Sequence, residues 1–401
     1  MERLQLSGNK IGPLRGLNAV IKDSYDIEGH HTSNGSPAWR ETHAISAKTA
    51  PAVQALVNAG ASIVGKAVMD EMAYSLEGQN YHYGTPVNPA CPGRIPGGSS
   101  SGTACGVASG LADIGLGGDT GGSVRVPASF CGIYGIRPTH NRVNISGSCP
   151  LAPSFDTGGW FARSATNLQC VGEVLLDKTT ERQPCFKKWI VSTDAFELSD
   201  EIATKGIYSN LSKHIEKIEG ILGGSPTEIL LAPKSVLNPT DNSQTSDLPE
   251  WMQVFRICQA WEIWQTHGRW IQDENPSFGP GIKERFMMAS RITEQEFAIA
   301  KKKRRLISDY LDKTLKDCIL TIPTTAGPAP LIGLPSAEMD AFRARLLQLT
   351  CIAGLAGLPQ VSIPISRVDN CPIGLSLVGP KGSDESLLAI TIQMEQLLSS
   401  L

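Results

Sequence analysis

The chain contains ten cysteines and seven histidines, yet no Cys-x-x-Cys pair, no zinc-finger spacing and no His-Glu-x-x-His. A metal site therefore has no sequence support, and no cofactor is expected. In a chain of 401 residues without a leader, the cysteines are expected to be reduced and mostly buried. The N-terminus, MERLQLSGNK, lacks the apolar core of a signal peptide. No apolar run approaches the roughly 20 residues that span a bilayer. A cytoplasmic location away from membranes is the expectation. Lys and Arg number 36 against 39 Asp and Glu, a net charge of −3, which argues against a nucleic-acid-binding surface. Internal repeats and low-complexity tracts are absent too.

Glycine, by contrast, is abundant, and it concentrates in PGGSSSGTACGVASGLADIGLGGDTGGSVRVPASFCGIYGIRP, residues 96–138. Glycines let the backbone turn tightly and approach a ligand closely. The serines beside them suggest that the ligand is attacked as well as held. Three common glycine-rich readings fail. A P-loop needs Lys-Ser/Thr after its last glycine, but GGSSSG is followed by Thr103 and Ala104. A dinucleotide fingerprint fails because Gly115-x-Gly117 meets Thr120 where a third glycine belongs. A G-x-S-x-G elbow fails because Ser123-Val124 runs into Arg125.

The segments PGGSSSG and GGDTGGSVRVPASFCGIYGIRP resemble the signature of the amidase signature family, hydrolases of carboxamides that use a Ser–cis-Ser–Lys triad without histidine. The resemblance implies that Ser123 is the nucleophile and Ser99 the bridging serine, with a cis peptide at Gly98–Ser99. It implies that Lys22, at the end of GLNAVIKD, is the base. By the same likeness, backbone N–H groups of Thr120, Gly121, Gly122 and Ser123 stabilise the oxyanion. Met72 lies in a segment that borders the active site in the family, and it reads equally as a substrate contact or a core filler. The match covers most of the chain apart from its middle. It implies one domain over 1–401, with a signature core at about 12–176, a substrate-shaping region at about 177–316 and a return to the core at 317–401. The implied fold is α/β, a mixed twisted sheet flanked by helices on both faces. Fewer residues precede Lys22 than family members usually carry, and a homodimer is left open.

The residues themselves support an α/β reading. Apolar runs at 17–21 and 61–64 read as buried strands, with a helix between them capped by Thr49, opened by Pro51 and ended by Gly60. Lys66 follows the second strand and competes with Lys22; it is expected to pack its stem on the fold and keep its charge in water. A short helix is expected at 70–76, a close-packed helix of small residues at 102–110 and a central strand at 112–116. Another helix begins near Ser123, with its free N–H groups toward the reaction centre. Arg125 is expected to pair with Asp119, and Cys131 to fill the core. Residues 293–315 form an amphipathic helix with Phe297, Ala300, Ile307, Tyr310 and Leu311 on one side. Its KKKRR run reads as a solvated face in preference to an RNA contact. Trp261, Trp264 and Trp270 either border a pocket for an aromatic acyl group or pack as ordinary helix residues.

A serine hydroxyl needs a base. A lysine with a free pKa of about 10.4 can serve only if burial lowers it. The segments MDEMAYSLEGQNYHYGTPVNP, GGDTGGSVRVPASFCGI and the pair HGRW and FGPGIKER between His267 and Arg285 resemble plant indole-3-acetamide hydrolases. The expected substrate is therefore a small primary amide with a flat apolar or aromatic acyl group. One alternative is the glutaminase subunit of a tRNA-dependent amidotransferase, which works inside a complex. Another is a non-catalytic import-receptor-like protein with a degraded site, a membrane anchor and tetratricopeptide repeats. Retention of Lys22, Ser99 and Ser123, without anchor or repeats, favours an enzyme.

Overall fold

Eleven strands form one sheet in the computed structural model, which describes residues 2–178 and 186–398. In chain order they are β1 (Glu2–Leu6), β2 (Asn18–Lys22), β3 (Ser62–Ala67), β4 (Ile114–Asp119), β5 (Tyr134–Arg137) and β6 (Thr157–Ala162). They continue with β7 (Lys188–Ser192), β8 (Thr227–Ile229), β9 (Cys318–Pro323), β10 (Gln360–Val368) and β11 (Cys371–Val378). Across the sheet the order is β1-β3-β2-β4-β6-β5-β10-β11-β9-β7-β8. β2 runs parallel to β3 and β4, and β7 parallel to β8 and β9; the other pairs are antiparallel. The expected α/β class, a mixed twisted sheet between two helical layers, is the observed one.

The layers follow from the side chains. On one face the helices Pro51–Asn58, Ala165–Leu175, Glu201–Ser212 and Asp384–Leu398 close a core around Ile21, Leu116, Trp160 and Leu375. On the other, Leu248–Glu274, Glu294–Thr314 and Ser336–Ala356 bury Phe255, Leu311, Leu320 and Ile352. β2 is buried along its last four residues, as a strand covered on both faces must be. No helix among the described residues is long and apolar enough to cross a membrane.

Glycine in β4 decides how close the next layer comes. A Cβ on Gly115 would lie 2.7 Å from the Thr103 methyl, and one on Gly117 would lie 2.8 Å from Ser100 Oγ. The small-residue helix Ser101–Ala108 can therefore lie directly on the sheet, which brings the loop ahead of it to the end of β2.

Several local expectations need correction. The helix after Thr49 starts at Pro51, and the Thr49 hydroxyl accepts from Glu28 N–H instead of capping it. Residues 70–76 form only one 3-10 turn, Glu71–Ala73, with Met72 at φ 51°. Cys91 and Cys371 form a disulfide, so the thiols are not all reduced; Cys185 lies outside the described residues. The helix Glu294–Thr314 has the expected buried side, with Thr293 and Glu296 forming a capping box. Lys301, Lys302 and Arg305 of KKKRR are exposed. Arg304 turns inward, 3.7 Å over the Phe155 ring, with its guanidinium on Ser154 and the Leu355 carbonyl.

Candidate active site

Lys22 ends β2 on the side where the 97–102 loop passes, and it is buried. Its Nζ donates to Ser99 Oγ at 2.7 Å and lies 3.5 Å from the Gly118 carbonyl. The Gly98–Ser99 peptide is cis. Burial lowers the Lys22 pKa from its ordinary 10.5 to about 8, against the fields of Asp70, Asp119 and Asp156. A fully hydrated lysine would be almost entirely protonated at neutral pH; this one carries an appreciable neutral fraction just above it.

Ser123 enters from the loop after β4. Its carbonyl accepts from Ser100 N–H at 3.2 Å, which ties the two serine loops together. Among the described residues the Ser123 hydroxyl has no hydrogen-bond partner, and it faces a cavity of about 370 Å³, a volume suited to a small organic ligand. Thr120 and Gly121 line the same cavity. The Thr120 hydroxyl donates to Asp156 at 2.6 Å. Gly122 N–H donates to Asp119 Oδ1 at 3.0 Å and is already engaged. No hydrogen bond among the described residues occupies the N–H groups of Gly121 and Ser123.

Asp119 organises this loop, and the expected ion pair with Arg125 is present. Arg125 Nη2 lies 2.7 Å from Asp119 Oδ1, and Arg137 Nη1 lies 3.2 Å from the same atom. Burial alone would raise the Asp119 pKa, but the two guanidiniums and Val124 N–H hold it well below the usual carboxylate range. Arg125 also donates to the Thr350 carbonyl and to Gln360, so it fixes the loop and does not face the cavity.

Lys66, the competing lysine, is not solvated. It is buried, 2.8 Å from Asp23, and donates to the His31 carbonyl and the Thr32 hydroxyl. The carboxylate that follows Lys22 in sequence thus captures the second lysine. Met72 is fully buried in the core, where Asn34 Nδ2 lies 3.7 Å from its sulfur. Its neighbours Ala73, Tyr74, Ser75 and Leu76 line the cavity in its place. None of the three tryptophans lines the cavity either. Trp261 stacks on Phe297 at 5.1 Å, Trp270 packs edgewise on Trp39 at 4.9 Å, and Trp264 lies against Gly268.

The same helix does reach the cavity, through Met252, Arg256 and Gln259. Positions i, i+4 and i+7 share one helical face, so the spacing was visible, although nothing in it marks that face as the wall of a pocket. Arg285 and Arg343 also line the cavity and share Glu77 as a partner, while Arg256 has no carboxylate partner among the described residues. Among the described residues, no group of three or more His, Cys, Asp or Glu is placed to hold a metal ion.

A buried amine on one serine, a second serine free in a cavity and two unoccupied N–H groups beside it are the equipment of an acyl-transfer hydrolase. A family model described as Amidase matches residues 2–207 and 254–388, and the chain belongs to this amidase signature family. It is 40% identical to Amidase 1 of Arabidopsis thaliana over 392 residues, 94% of this chain and 92% of that protein. It is 35% identical to the translocon at the outer membrane of chloroplasts 64 of Pisum sativum, over 94% of this chain and 65% of that one. Among solved structures, a glutamyl-tRNA(Gln) amidotransferase subunit from Thermotoga maritima superposes with a TM-score of 0.81. It is 26% identical, over 99% of this chain and 86% of that chain.

Proposed function

We propose that this amidase hydrolyses a small primary carboxamide with a flat apolar or aromatic acyl group, indole-3-acetamide being the leading candidate, through an acyl-enzyme on Ser123. The 2.7 Å contact between Lys22 Nζ and Ser99 Oγ beside Ser123 carries the reading. Neutral Lys22 takes the Ser99 proton as Ser99 takes that of Ser123, and Ser123 Oγ attacks the carbonyl carbon. The N–H groups of Gly121 and Ser123 receive the oxyanion, an interaction whose removal typically costs about 2.7–4 kcal/mol. As the C–N bond breaks, Ser99 returns a proton to the leaving nitrogen and ammonia departs. Water then adds to the acyl group by the same relay, giving the acid and free Ser123.

The acyl-group preference rests on the sequence likeness to plant indole-3-acetamide hydrolases. It is supported by the apolar lining of Leu76, Leu151, Met252, Met288 and Leu347, and no longer by the tryptophans. The test compares kcat/KM for indole-3-acetamide, phenylacetamide, a medium-chain aliphatic amide and glutamine on the isolated chain. The aromatic amides should lead, by a margin of roughly 1–3 kcal/mol over a poorly fitting acyl group. Glutamine leading by tenfold or more would overturn the acyl-group reading and favour the amidotransferase-like one. Mapping a fluorophosphonate adduct to any serine other than Ser123 would overturn the triad.

A further inference from the structure

We infer that Asp70 is the counter-ion of Lys22: a positioning residue that grips the Gly98–Ser99 peptide and stabilises the ammonium formed when Ser99 gives up its proton. The inference rests on the triad proposed above. Asp70 lies just beyond β3 and is fully buried. Its backbone N–H donates to the Ser99 carbonyl at 3.1 Å, and its Oδ2 accepts from Gly78 N–H at 3.0 Å. The carboxylate sits so close to Gly98 that a Cβ there would lie 2.2 Å from Oδ2 and 2.4 Å from Oδ1. One residue thus holds both halves of the dipeptide that presents the bridging hydroxyl.

Three carboxylates act on Lys22: Asp70, Asp119 and Asp156. Asp119 is neutralised by Arg125 and Arg137. Asp156 spends its oxygens on the Thr120 hydroxyl and the N–H groups of Leu151 and Ala152. Asp70 has no ion pair within 4 Å among the described residues, and its Oδ1 has no hydrogen-bond partner. The other groups that face it are Glu77, which repels it, and the Ser75 hydroxyl, with the Arg285 guanidinium farther off. Burial raises its pKa to about 6, opposed by Gly78 N–H and Lys22, so the group is largely ionised at neutral pH. In the acylation step the proton moves from Ser99 Oγ to Lys22 Nζ, and Asp70 takes up no proton. Its negative charge is in place before the positive one appears, which is what preorganised stabilisation requires.

The test is the pH profile of kcat/KM for Asp70→Asn, which keeps the shape and an acceptor for Gly78, on phenylacetamide. Without the carboxylate, the acid limb set by Lys22 should move down by at least half a pH unit. That corresponds to about threefold more basic-form enzyme on the limb. The plateau should fall by about tenfold or more. A lowered plateau with an unmoved limb would mean a structural role alone and would overturn the inference. A second measurement stands if that variant does not fold or if no amide is turned over. The Asp70 carboxyl is titrated by carbon NMR in wild type and in Lys22→Met. Coupling is reciprocal, so losing the ammonium should raise the Asp70 pKa by a similar half unit or more. An unchanged titration would sink the pairing whatever the substrate proves to be.

Discussion

At the scale of single residues, the two buried lysines differ in what burial does to them. Lys22 faces a hydroxyl, and desolvation lowers its pKa to about 8. In the proposed relay its neutral form is the base, so activity should rise as pH increases through about 8, and Lys22→Ala should cost about a thousandfold in kcat/KM. A rate that fell between pH 6 and pH 8 would count against lysine as the base. Lys66 faces the Asp23 carboxylate and behaves as a structural ion. Removing one partner of a buried pair leaves the other uncompensated, so Lys66→Ala should lower the unfolding free energy by about 3 kcal/mol. Denaturant titration gives that number, and the folded fraction should keep the acid limb of the wild-type pH profile.

At the scale of elements, the site exists because β4 has no side chains where a helix must lie. Gly117 is enclosed by Ser100, Phe161 and Val124, with a substituted Cβ within 2.8–3.0 Å of all three. Gly117→Ala should therefore cost about 1–3 kcal/mol through overpacking. It should also lower kcat out of proportion to stability, because Ser100 is the neighbour of Ser99. Gly220 lies in the helix Ile215–Leu222 with nothing within 4 Å of its Cβ position. Gly220→Ala, the control, should be neutral or slightly stabilising, since alanine favours the helix. Equal activity losses in the two variants would refute the packing argument.

At the scale of the whole molecule, the acid sensitivity of stability comes from titratable groups buried in different parts of the fold. Burial lowers the His267 pKa from 6.5 to about 4, despite its bond to the Pro150 carbonyl. His140 is lowered to a similar value by partial burial and by Arg137 and Arg304. The unfolded chain binds these protons first, so stability is intact above pH 6.5 and is lost as pH falls toward 4. For His267 the full loss is about 3 kcal/mol. Asp70 works in the opposite sense: its pKa is higher folded than unfolded, so it returns part of that loss between pH 6 and 3.8. Thermal melts should show Tm falling from pH 7 to pH 5, with a smaller fall in His267→Gln. An identical pH slope in that variant would remove His267 from the account.

The sequence alone carried what is local or contiguous: the apolar runs of β2 and β3, the glycine clusters, the amphipathic helix over 293–315 and the Asp119–Arg125 pair. Lys22, Ser99 and Ser123 were picked out by the resemblance of their segments to the amidase signature, since the residues of β2 alone read equally as a strand ending in a solvated lysine. Distance along the chain hid the rest. Whether Lys66 reaches water depends on where Asp23 and Thr32 fold over it, and β3 alone says nothing of that. The wall of the pocket depends on which side of the helix Leu248–Glu274 meets the Ser123 loop. A helix that is apolar on several sides left that choice open, so the tryptophans drew the eye while Met252, Arg256 and Gln259 faced the cavity. Of the two readings of Met72, the core filler is the observed one, and Ala73, the next residue of the turn, lines the cavity. Asp70 meets Gly98, 28 residues away, only when the chain folds. Periodicity fixes which residues share a face, but only packing between distant elements decides what that face touches.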